Sequence, residues 1–152
     1  MENSSIISLQ IILRDFKNDA SDILEKLSFL PLKPSKSWNK GEKIILNKNF
    51  KEGFYNNSSW IYEHTFVYKN DILFEDKIKS LLNIFFTYKD ELLAIQHNEM
   101  NFELEIFYSY ENLHNGLSFD KEILRMMLNL NMSLSIYPRG RELLFENLDR
   151  LP

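Results

Sequence analysis

The segment Asn101–Tyr110, read Asn-Phe-Glu-Leu-Glu-Ile-Phe-Tyr-Ser-Tyr, alternates so regularly that it admits few folds. Successive side chains of an extended chain point to opposite sides. Phe102, Leu104, Ile106 and Tyr108 then share one side, and Glu103, Glu105 and Phe107 share the other. This predicts a strand with one buried face and one wet face. The buried face requires something packed against a sheet. The wet face, with two carboxylates and an aromatic ring, is where a function would sit.

Other segments supply the rest of that sheet and its cover. Ile6–Leu13 alternates in the same way, with Ile7, Leu9, Ile11 and Leu13 on one side. A polar connection over Arg14–Ala20 leads to a short helix capped by Ser21, with Ile23, Leu24, Leu27 and Leu30 inward and Pro31 and Pro34 ending it. Leu32–Asn57 reads as a long irregular excursion with one short strand at Ile44-Ile45-Leu46. Ser59–Tyr68 is apolar on both faces, as a central strand would be. Asp71 to Tyr88 carries Ile78, Leu81, Leu82, Phe85 and Phe86 at helical spacing, with Glu75 and Asp76 near its positive end.

Glu91–Gln96 reads as a third strand or as the end of that helix followed by a strand. His97–Asn101 would then turn the chain into a hairpin with the segment described first. Asp120 caps a helix over Lys121–Asn129, and Met132–Tyr137 is the last strand, broken by Pro138 and Gly140. Arg141–Leu151 forms a short terminal helix or frays. The expectation is one domain over residues 1–152, with its core at about 5–138. Its class is α+β: a two-layer sandwich of ferredoxin-like character, with a mostly antiparallel sheet and helices on one face.

Bulk properties exclude several functions. An aromatic content of 14% and a hydrophobic content of 44% fit a packed core. The net charge of −4 lacks the electrostatic footprint of a nucleic-acid or anionic-membrane binder. The sequence has no cysteine, so disulfides, thiolate nucleophiles and Cys-based metal sites are ruled out. Ile6–Leu13 is too short to span a bilayer, and a cytoplasmic protein is expected. The three histidines, His64, His97 and His114, lack metal-ligand spacing, and neither phosphate-binding loop pattern occurs. No metal, cofactor or catalytic residue is assigned.

The ordered signatures resemble a known family. They are Leu30–Pro34, Trp38-Asn39-Lys40-Gly41-Glu42, Ser59-Trp60 opening a strand, the Ile78–Phe86 helix, Gly116-Leu117-Ser118-Phe119, and Leu134–Tyr137. In that order and spacing, from about residue 5 to residue 138, they resemble the bacterial domain-of-unknown-function family 4279. The resemblance implies a small single-domain bacterial protein with no established enzymatic activity, and it carries over no catalytic residue. Some small families of this kind act as immunity proteins beside secreted toxins, an analogy only.

Two functional expectations follow. One is a non-enzymatic protein-binding module that uses the open sheet face and the Trp38–Asn57 loop. Its candidate contacts are Trp38, Lys40, Glu42, Trp60, His64, Glu103 and Glu105, and its partner is a toxin-like protein or a second copy. The other is a small-molecule-binding or hydrolytic enzyme in which Glu103, Glu105 and His64 converge. Glu103 and Glu105 lie about 7 Å apart along a strand, a spacing near that of a glycosidase carboxylate pair.

Overall fold

The computed structural model describes residues 5–17, 21–44, 53–68, 74–109 and 117–139. Strand β1, Ser5–Asp15, is the middle of five. The others are β2 (Lys36–Trp38), β3 (Ser58–Tyr68), β4 (Met100–Ser109) and β5 (Ser133–Arg139), in the order β2-β3-β1-β4-β5. β1 pairs antiparallel with β3 on one side and with β4 on the other. β4 and β5 run parallel, joined by a crossover that contains a helix. The architecture is the α+β sandwich expected, with a strand order that the sequence left open.

The helices are α1 (Ile23–Lys26), α2 (Phe74–Thr87), α3 (Lys89–Ile95) and α4 (Lys121–Asn129). Ile7, Leu9, Ile11 and Leu13 of β1 join Leu104 and Ile106 of β4 in one buried cluster. Ile23 of α1, Ile78, Leu82 and Phe85 of α2, Leu92 of α3, and Ile123, Met126 and Met127 of α4 belong to it too. All four described helices therefore cover one side of the sheet. Trp60 of β3 is fully enclosed and meets Phe85 in a T-shaped contact at a centroid distance of 6.0 Å. Burying each such side chain contributes about 1.5–3 kcal/mol before entropy is counted.

Local chemistry sets the ends of the elements. Asp120 accepts from Ile123 N and caps α4. The C-terminal end of α4 is a Schellman turn: Asn131 takes a left-handed φ of 53°, its N–H bonds to Leu128 O, and Met132 N–H bonds to Met127 O. Gln96 braces this turn, donating to Leu130 O at 3.0 Å and accepting from Asn131 at 3.1 Å.

The structure departs from the sequence reading in several places. β1 continues through Arg14 to Asp15, in what read as a polar connection. Asp22 rather than Ser21 caps α1, which has only one turn, and Leu24 is exposed. Glu91–Gln96 is not a strand: it is the body of α3 with its C-cap, because Leu92 serves the helix-side core. β4 consequently has no hairpin partner and pairs instead with β1 and β5. β3 is an interior strand, as its two apolar faces implied, paired with β2 and β1, while β1 holds the middle of the sheet. β2 forms inside the region read as irregular, and near Ile44 there is an isolated bridge, Lys43 to Phe54. Ile45, Leu46 and Arg141–Leu151 lie outside the described residues.

Leu82 is fully buried, whereas Leu24 is 46% exposed. Leu82→Ala is expected to cost about 2–5 kcal/mol, and Leu24→Ala less than about 1 kcal/mol. Urea unfolding followed by circular dichroism would measure both.

Candidate functional site

The other side of the sheet is set by strand parity. Ile6, Ser8, Gln10, Ile12 and Arg14 of β1 point to it, and the register aligns them with residues of the flanking strands. One row runs Ser135, Glu105, Gln10, Glu63 from β5 to β3. The next runs Tyr137, Phe107, Ser8, Thr65. No helix among the described residues packs against these rows.

The centre of this face is a polar network. Arg14 pairs with Glu103, and its second nitrogen lies 3.9 Å from Glu105. The guanidinium thus answers both carboxylates that drew attention in the sequence. Ser8 donates to Glu63 at 3.0 Å and accepts from Thr65 at 3.0 Å. Ile6 and Ile12 are fully buried here, so the middle of the face is closed. Exposure lies toward its borders. Phe107 and Tyr137 stack at a centroid distance of 5.2 Å, with Tyr137 41% exposed.

The sequence-derived residues divide among three places. Glu103 and Glu105 sit on the helix-free face. Trp60 and His64 have the parity of Leu13 and Leu9 and face the helices. His64 therefore does not converge with the two glutamates, and the acid–base constellation required for the hydrolytic reading is not assembled. His64 stacks on Phe66, 5.6 Å away, and burial with the nearby Lys77 charge holds its pKa below the usual 6.5.

Trp38, Lys40 and Glu42 form a third group beside β2. Trp38 stacks on Tyr55 at 4.5 Å and donates to Asn57. Asn39 accepts from Ile23 N at the start of α1 and donates to Asp22 and Glu42. Lys40 Nζ donates to Phe16 O, and Gly41 supplies the φ of 86° that the turn needs. The Trp-Asn-Lys-Gly-Glu motif thus works as a latch between β1, α1 and the β2 edge.

Sequence reasoning missed a second cluster, Asp15, Lys26 and His97. Asp15 is 2% exposed at the end of β1. It accepts from Lys26 Nζ at 2.8 Å and from Lys17 N at 2.9 Å. His97 accepts from Glu99 N through Nδ1. Its buried Nε2 lies 3.2 Å from Asp15, off the line of a hydrogen bond. Burial opposes ionisation of Asp15, but Lys26, the Lys17 N–H and His97 outweigh it and hold its carboxyl below the usual range. The signal was an acid two residues beyond Leu13, the end of the apolar strand, and in phase with it. It reads as a loop residue unless the ladder is known to continue. Among the described residues, no group of three His, Asp or Glu could hold a metal ion.

Comparison with known proteins adds one relationship. The model for the family described as a domain of unknown function, DUF4279, matches residues 7–139. The chain belongs to this family. The DUF4279 match ends where β5 ends, at Arg139, so it takes in all five strands and both layers. No curated protein and no solved structure matches the chain. In terms of this DUF4279 domain, the latch motif and both glutamates lie inside the matched span.

Two pH effects follow from the shifted groups. Asp15 has a depressed folded pKa, so its contribution is present above its unfolded pKa near 3.8 and is lost as pH falls through the lower folded value. Asp15→Asn is expected to lower stability by about 1–3 kcal/mol at neutral pH, because Lys26 loses its buried partner. Denaturant melts across acid pH should show that difference shrinking. His64 binds its proton more weakly folded than unfolded, so stability falls as pH drops from 6.5 toward the folded pKa. His64→Gln should flatten that part of the wild-type stability profile.

Proposed function

We propose that this protein is a non-enzymatic protein-binding module that meets its partner through the helix-free side of the sheet. The observation that carries this reading is the segregation of layers. Every described helix buries its apolar side on one face, and the reverse face presents acids and a stacked aromatic pair. Aromatic rings beside polar networks are the composition of binding hot spots. Phe107 and Tyr137 supply the rings, and Glu63 and Glu105 supply flanking carboxylates. The acidic balance of the chain suits a basic partner.

In its most specific form, this is a bacterial cytoplasmic immunity-type protein that holds and neutralises a toxin made beside it. The support is the combination of a small domain, an acidic binding face and the placement of His64 on the opposite side of the sheet from Glu103 and Glu105. The latch residues Trp38, Lys40 and Glu42 then hold the β2 border of the face, and Glu103 holds Arg14 in place at its centre.

Affinity purification from the native cells, with mass spectrometry, tests the reading. The expected result is one stoichiometric partner, retained by the wild type and weakened about tenfold or more by Phe107→Ala with Tyr137→Lys. Absence of a partner, or undiminished binding by that variant, would contradict it.

A further inference from the structure

The end of β1 holds a titratable contact that the proposed partner surface does not use. Asp15 Oδ2 accepts from Lys26 Nζ at 2.8 Å, and Oδ1 accepts from the Lys17 N–H at 2.9 Å. Oδ1 also lies 3.2 Å from His97 Nε2, yet that nitrogen is buried and makes no hydrogen bond. A buried polar atom so close to a carboxylate, but out of line with it, is a contact left half made.

The other ring nitrogen accounts for this. His97 Nδ1 accepts the Glu99 N–H at 3.2 Å. An imidazole nitrogen that accepts carries no proton, so the neutral ring has its N–H at Nε2. The Glu99 contact spans only two residues and sets the angle of the ring, and at that angle Nε2–H misses Asp15.

The same turn is tied to more distant parts of the chain. His97 O accepts from Met100 N–H at 3.0 Å, where β4 begins, and Glu99 O accepts from Phe16 N–H at 2.9 Å. Phe16 O in turn accepts from Lys40 Nζ of the latch at 2.9 Å. His97 thus stands at the head of a series that runs through Glu99 and Phe16 to Lys40. The charged groups on the elements that meet here are Asp15 and Lys17 at the end of β1, Lys26 of α1, Glu99 on the turn itself and Lys40 of the latch.

We infer that His97 is a proton-operated switch for this corner of the molecule. A proton adds at Nδ1, the nitrogen with a lone pair to give. There it meets the Glu99 N–H hydrogen to hydrogen, and that bond breaks. The imidazolium turns its Nε2–H onto Asp15 Oδ1 and completes an ion pair, so that His97 and Lys26 share one carboxylate. The released Glu99 moves the carbonyl that holds Phe16, and the latch feels the change through Phe16 O. His97 is 29% exposed although its Nε2 is buried, so the proton comes from solvent. The switch does not involve Phe107 or Tyr137, so it and the proposed partner contact can fail independently.

NMR of the full chain, labelled with nitrogen-15 and titrated from about pH 8 to about pH 5, is the test. At the alkaline end, His97 should be the Nε2–H tautomer. As its ring titrates, the Glu99 amide proton should move upfield, and the Phe16 amide should shift with the same midpoint. In His97→Gln, checked for folding by circular dichroism, neither amide should respond over that range. An Nδ1–H tautomer, a ring that takes up no proton in that range, a Glu99 amide indifferent to His97 titration, or the same movements in His97→Gln would overturn the inference.

Discussion

Pairing of β1 along both edges is the constraint on which the structure depends. Its register runs the full strand against β3 and from Ile7 to Asp15 against β4. Once that ladder forms, parity decides which side each residue serves, since a slip of one residue would exchange the faces. Ile7, Leu9, Ile11 and Leu13 go to the helices, and Ser8, Gln10 and Arg14 go to the reverse. The core and the candidate surface are thus two consequences of one alternation.

The end of β1 is tied as firmly as its middle. Asp15 gathers Lys26 from α1 and His97 from the turn before β4, and Phe16 N–H bonds to Glu99 O. The latch reaches the same point through Lys40. A buried carboxylate without these partners would be strongly destabilising. The contacts therefore fix where β1 stops and how α1 sits against the sheet. They also explain why a motif that reads as an exposed binding loop is largely occupied within the chain.

Much of the architecture was legible because β1, β3, β4 and α4 carry clear periodicities of two or 3.6. Asp120 as a cap was legible for the same reason: its side chain acts within its own turn. What was not legible depends on distant pairing. The three-residue β2 exists only because β3 offers it an edge. Leu92 fits a strand or a helix until its neighbours are known. At the candidate site, Glu103, Glu105 and Phe107 could be assigned to the wet face by parity alone. Arg14 as their counter-ion could not, since it lies 89 residues from Glu103. His64 was grouped with the glutamates because strand register cannot be read from one strand.

The central claim is that helices shield one side of the sheet and leave the border of the other accessible to a partner. The absence of native cysteine makes single-cysteine labelling a direct test. Cysteines placed at Ser133 and Tyr137, on the reverse side, should react with a soluble maleimide in the folded protein at rates near those of an unfolded chain. A cysteine at Leu104, on the helix side, should react orders of magnitude more slowly. Equal protection at all three positions would contradict the account.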